Sequence, residues 1–73
     1  MRAINQLTSS KVQHISDKGR YADGAGLYLY VTVNGSKSWV YRWKVDGKRR
    51  ELGLGGFPLV SLARARERAA KAR

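Results

Sequence analysis

The 73-residue chain has no cysteine, one histidine, one proline and only five acidic residues. Without cysteine no disulfide can staple the fold and no thiolate zinc site can form. The same absence suits a cytoplasmic protein. His14 has no carboxylate or cysteine at ligand spacing beside it, so no metal is expected. Five scattered carboxylates and no nucleophile–base pair leave catalysis without parts, and neither a cofactor nor a small-molecule substrate is implied. The longest apolar stretch, Gly26 to Val33, is far too short to span a bilayer. The N-terminus carries no apolar signal-peptide core. Gly53-Leu54-Gly55-Gly56-Phe57-Pro58 departs from a dinucleotide fingerprint, because Pro58 takes the third glycine position and no βαβ unit follows. There is no Walker lysine pattern, and both glycine clusters read as turns.

What the chain has in excess is positive charge. Fifteen Lys and Arg against five Asp and Glu give a formal +10 and a pI near 10.8. Such a density repels itself in a compact domain, and a polyanion relieves it. Nucleic acid is the commonest polyanionic partner, and an anionic membrane surface is the rival. The basic C-terminal segment carries alanines rather than bulky apolar residues, which argues against a membrane. The length allows one domain with a thin core, burying about 60% of its unfolded surface.

Periodicity then divides the chain. Met1 to Gly19 reads as a lead-in with one short helix through His14. Thr8 is its N-cap, and Leu7 and Val12 form a hydrophobic staple. Arg20-Tyr21-Ala22 reads as a minor strand before the turn Asp23-Gly24-Ala25-Gly26. Leu27 to Val33 alternates, with aliphatics at odd positions and Tyr28, Tyr30 and Thr32 at even ones, so one face is buried. Asn34-Gly35 predicts a two-residue hairpin turn, since both central residues of a type I′ turn need positive φ. Ser38 to Val45 places Trp39, Tyr41, Trp43 and Val45 on one face and Ser38, Val40, Arg42 and Lys44 on the other. Asp46-Gly47 predicts a second hairpin into a strand from Lys48 to Leu54, with Leu52 and Leu54 inward. Ser61 caps a helix from Leu62 to Arg73 built from strong helix formers. Its Leu62, Ala65 and Ala69 share a stripe that fits the apolar face of a sheet, while Arg64, Glu67, Arg68 and Lys71 point elsewhere. The helix lacks a C-terminal stop signal, as expected of a piece of a longer protein. The expected fold is α+β: a three-stranded antiparallel sheet, with a possible short extra strand, a short N-terminal helix and a C-terminal helix packed on one face.

The face that the core does not use carries the candidate site. Alternation sets Tyr28, Tyr30 and Thr32 beside Ser38, Val40, Arg42 and Lys44, with Arg49 and Glu51 completing the surface. A twisted antiparallel ribbon fits the major groove of B-DNA, about 12 Å wide, and presents alternate side chains to base edges. Arg42, Lys44 and Arg49 suit base edges or phosphates, and the hydroxyls of Tyr28, Tyr30 and Thr32 suit the backbone. An ordinary solvated sheet face is the plain alternative. Trp39, Tyr41 and Trp43 could stack bases of a single strand, but so small a domain needs them for burial. The basic helix residues Arg64, Arg66, Arg68, Lys71 and Arg73 suit phosphates or simple solvation equally.

The order of these pieces resembles a known family. Asp23-Gly24-Ala25-Gly26-Leu27-Tyr28-Leu29 is similar to the DGGGLYL run of the N-terminal domain of prophage and genomic-island integrases, which are tyrosine recombinases. The likeness continues through Gly35-Ser36-Lys37-Ser38-Trp39, Tyr41-Arg42-Trp43, Gly47-Lys48-Arg49-Arg50, Leu52 to Pro58 and Val60 to Arg68. The resemblance implies a single domain over residues 1–73 that binds arm-type sites on double-stranded DNA in the bacterial cytoplasm. It would be the N-terminal part of an integrase, alongside other integrase protomers, supporting integration and excision of mobile DNA. Core-binding and catalytic domains would follow it, and no catalytic motif of that family lies in this chain. Ala25 stands for a glycine, and Ser38 and Val40 stand where the family often has larger or charged residues, so the DNA sequence preferred does not carry over. RNA binding by the same sheet, or a protein–protein interaction module, remain the alternatives.

Overall fold

A computed structural model describes residues 6–72 of the chain; the expectations for residues 1–5 and for Arg73 lie outside them. The capping pattern places the first helix, α1 (Ser9–His14): Thr8 is extended, and its Oγ1 accepts the Lys11 N–H at 3.1 Å. Leu7 and Val12 are both buried, as a staple requires. The carbonyls left free at the end of α1 are met from the sheet. Lys37 Nζ donates to Val12 and Gln13 oxygens at 2.8 and 3.1 Å.

Four strands follow, the possible extra strand being the first of them: β1 (Gly19–Gly24), β2 (Leu27–Val31), β3 (Lys37–Val45) and β4 (Lys48–Phe57). They form one antiparallel meander in chain order. β1 is a full strand whose alternation is disguised, because one of its inward positions is the acid Asp23. The chain turns from β1 into β2 through three successive positive φ values at Gly24, Ala25 and Gly26. Gly26 is required there twice over. Its φ is +91, and a Cβ would lie 2.6 Å from the Arg42 carbonyl oxygen and 2.7 Å from the Tyr41 ring.

The β2–β3 connection differs from the expected two-residue turn. β2 stops at Val31, and Thr32 lies in the loop. Thr32 N–H bonds Ser36 O, Gly35 N–H bonds Thr32 O, and Ser36 N–H reaches Thr32 Oγ1. Gly35 has positive φ and Asn34 does not, so a wider loop replaces the primed turn, its three residues 33–35 between the bonded Thr32 and Ser36 ending in a left-handed glycine. Val33 is consequently 82% exposed rather than buried. At the β3–β4 hairpin, Asp46 and Gly47 both have positive φ, as a type I′ turn demands.

β4 continues through Gly55-Gly56-Phe57, the segment expected to be a turn. Gly53 pairs with Val40 but Gly55 with Trp39, which makes Leu54 the extra residue of a β-bulge. The bulge turns Leu54 into the core. Leu52, expected inward as well, is 45% exposed and lines an open groove with Leu54, Arg68 and Lys71.

Ser61 Oγ caps α2 (Leu62–Ala72) by accepting the Arg64 N–H. Leu62, Ala65 and Ala69 are buried in one cluster with Leu27, Leu29, Val31, Trp39, Tyr41, Leu54 and Val60. Trp39 is fully enclosed, and its indole N–H donates to Val60 O at 2.7 Å. Tyr41 is buried and stacks on a partly buried Trp43 with ring centres 5.2 Å apart, while Val45 at the strand end is exposed.

Among the described residues one acidic side chain is buried beside this interior. Asp23 is 2% exposed and accepts from Leu7 N–H and from Arg66 Nε and Nη2, each at 2.9 Å. Arg66 Nη2 also donates to Leu7 O, and Gln6 N–H to the Asp23 carbonyl. The lead-in, the β1–β2 turn and α2 are thereby clasped together. Burial pushes the Asp23 carboxyl up, but the bonds from Arg66 and Leu7 and the Arg66 charge outweigh it and hold the group below its ordinary value. The hydrogen bond to Asp23 pushes Arg66 up in turn. Among the described residues no helix is long and apolar enough to cross a membrane.

Candidate nucleic-acid interface

The strand registers order the face away from the core into rows. Arg20, Tyr30, Ser38 and Gly56 lie side by side across all four strands. Ala22, Tyr28, Val40 and Gly53 form the next row. Beyond it Arg42 faces Glu51, and Lys44 faces Arg49. Seven of the eight residues singled out from the sequence are therefore on one surface. Thr32 is not in that array. It stands in the β2–β3 loop at the edge of the face, because the wider loop ends β2 one residue before it.

The side chains are knitted across the strands. The Arg42 guanidinium lies over the Tyr28 ring, 5.1 Å from its centre, and Arg20 lies over Tyr30 at 5.2 Å. Tyr30 reaches from β2 across β3 to β4, where its hydroxyl donates to Glu51 Oε1 at 2.8 Å. Arg42 Nε lies 3.3 Å from the same oxygen, an ion pair that falls short of hydrogen-bond geometry. That nitrogen is buried without an acceptor. Burial, then the bond to Glu51 and its charge, push the Tyr30 phenol above its ordinary 10.0 against the opposing pull of Arg42 and Arg20. Tyr30 accordingly stays a neutral donor.

At the hairpin end of the face, Tyr28, Arg42, Lys44 and Arg49, with Gly26 and Trp43, line a cavity of about 270 Å³. Lys44 and Arg49 are exposed, and Arg42 forms its inner wall with a side chain only 14% exposed. Three cations around an open, partly aromatic hollow suit an anion such as a phosphate, or the acceptor-rich edge of a base. Gly53 and Gly56 leave bare backbone beside Val40 and Ser38, so the opposite half of the face lies low.

The helix cations divide. Arg66 is bound to Asp23, and Arg68 Nη1 donates to Leu54 O at 2.8 Å, so both hold the fold together. Arg64 and Lys71 are exposed. Among the described residues no group of three or more His, Asp or Glu side chains could hold a metal ion. Sequence reasoning missed Arg20 as part of the surface, because β1 was read as a minor strand. The signal was the Arg20–Tyr21–Ala22 alternation, which sets Arg20 opposite Tyr30. It also missed Asp23, whose partner Arg66 is 43 residues away.

Comparison with known proteins gives a consistent match along the chain. Residues 2–73 match the family of arm DNA-binding domains. The integrase of Shigella phage Sf6 and the prophage integrase IntS of Escherichia coli strain K12 are each 52% identical to the chain over all 73 residues. The chain spans 18% of the length of each of these relatives.

Proposed function

The chain belongs to the arm DNA-binding domain family, and from that premise we propose that it grips double-stranded DNA with the outer face of its sheet. In this reading it recognises arm-type sites for a tyrosine-recombinase integrase. It thereby serves integration and excision of mobile DNA alongside other integrase protomers. The observation that carries the reading is the gathering of Arg42, Lys44 and Arg49 around one hollow beside Tyr28. A ribbon of strands entering the major groove presents alternate residues to base edges. Arg42, the most enclosed of the cations, takes a base edge bidentately, and Lys44 and Arg49 take flanking phosphates. Tyr28 and Tyr30 hold the sheet on the backbone, with Thr32 at the loop edge. Ser38 and Val40, over the low glycine half, meet base edges directly, Val40 suiting a thymine methyl.

An amide chemical-shift titration with a short mixed-sequence duplex, at two salt concentrations, tests this. Shifts centred on Tyr28, Tyr30, Arg42, Lys44 and Arg49 that fade with salt support it. Shifts confined to Arg64 through Ala72, or none at low salt, refute it. An RNA duplex, whose major groove side chains cannot read, should compete poorly.

A further inference from the structure

Resting on that reading of the face, we propose that Arg42 and Glu51 form one recognition unit for a G·C base pair. Arg42 takes guanine and Glu51 accepts the cytosine amino group. Glu51 is the one acid among the strand residues of a face otherwise lined by Arg20, Arg42, Lys44 and Arg49. A carboxylate there opposes every phosphate that approaches, so its presence calls for a compensating task. It stands directly opposite Arg42 on the neighbouring strand, at a Cβ separation of about 5 Å.

Both protein contacts of the carboxylate fall on Oε1, one from Tyr30 and one from Arg42. Oε2 is left for an outside donor, and the side chain is 46% exposed. Arg42 in turn has no hydrogen bond on its two terminal guanidinium nitrogens among the described residues, while its Nε is buried and faces inward. Tyr28 beneath the guanidinium and Tyr30 on the carboxylate fix the two groups side by side.

The pair so held presents donors next to an acceptor. In the major groove, guanine offers the N7 and O6 acceptors and its cytosine offers the N4 donor next to them. That sequence of groups complements Arg42 followed by Glu51. An A·T pair puts a donor amino group where Arg42 needs an acceptor, and sets thymine O4 against the carboxylate. A·T is thus rejected twice.

The test is selection of duplexes with a randomised central region on the immobilised chain, comparing the unaltered sequence with Glu51→Gln, Arg42→Ala and Lys44→Ala. Glu51→Gln keeps an oxygen for the Tyr30 hydroxyl, and unchanged thermal unfolding confirms its fold. The unaltered chain should enrich G·C at one position. Glu51→Gln and Arg42→Ala should both relax that same position, on the order of ten- to a hundredfold. Lys44→Ala should weaken binding evenly and leave base preference alone. Unchanged preferences in Glu51→Gln, or relaxation by Glu51→Gln and Arg42→Ala at different positions, would overturn the unit while leaving the sheet as the DNA surface. Failure of the unaltered chain to bind duplex at all would overturn both readings.

Discussion

Replacing Asp23 by alanine should remove a large share of the stability of this fold. The substitution strips the partner from the Leu7 N–H and from two guanidinium nitrogens of Arg66. Removing one member of a fully buried pair costs about 3–5 kcal/mol, because the other charge is left without compensation. Arg66 is a third exposed and keeps its bond to Leu7 O, so about 2–4 kcal/mol is expected here. A chain of 73 residues has roughly 4–11 kcal/mol in total. The midpoint should fall by roughly 10–30 °C, followed by far-ultraviolet circular dichroism and tryptophan fluorescence. A double-mutant cycle with Arg66→Ala should show that the two losses are not additive. The acid limb gives a second measure. The folded carboxyl titrates below the ordinary 3.8, so the unfolded chain takes up the proton first as pH falls. The contribution of Asp23 is therefore complete well above 3.8 and is lost as pH drops through the lower folded value. Asp23→Asn should lack that loss. An Asp23→Ala protein within about 0.5 kcal/mol of the parent, with additive effects in the cycle, would refute the clasp.

Three further outcomes are expected. Ala25→Gly should stabilise by up to about 1 kcal/mol in urea unfolding, because Ala25 has a φ of 53, and a left-handed non-glycine costs about 1–2 kcal/mol, less the entropy glycine loses; a destabilised variant would contradict it. Gly26→Ala should cost about 2 kcal/mol or more, since its Cβ meets main-chain oxygen of Arg42 at 2.6 Å; near-neutral unfolding would show that the turn can give way. Arg42→Ala should weaken binding to a selected duplex by about 1–3 kcal/mol in fluorescence anisotropy, and unchanged affinity would remove Arg42 from the interface.

Local chemistry was legible in the sequence where a few adjacent residues decide the outcome. Thr8 and Ser61 announce helix starts through their own hydroxyls, and Asp46-Gly47 announces its turn through positive φ. The Leu27 to Val31 and Ser38 to Val45 alternations give the two faces, and with them Tyr28, Tyr30, Ser38, Val40, Arg42 and Lys44. What escaped depends on distant partners. Asp23 reads as a turn acid until Arg66 and Leu7 reach it. Asn34-Gly35 is the right dipeptide for a tight turn, yet the Thr32 and Ser36 bonds select a wider loop. The bulge at Leu54 is a matter of register between strands, and no pattern within β4 reveals that Leu52 stays in the open.

The web of Arg20, Tyr30, Glu51, Arg42 and Tyr28 crosses all four strands. Long side chains on a protein surface are ordinarily mobile, and each one stilled on association costs about 0.5–1.5 kcal/mol of rotamer freedom. Here the five side chains already lie against one another in the free sheet, before any partner arrives. If this face is the one that meets DNA, as proposed, less of that cost is left to be met on binding.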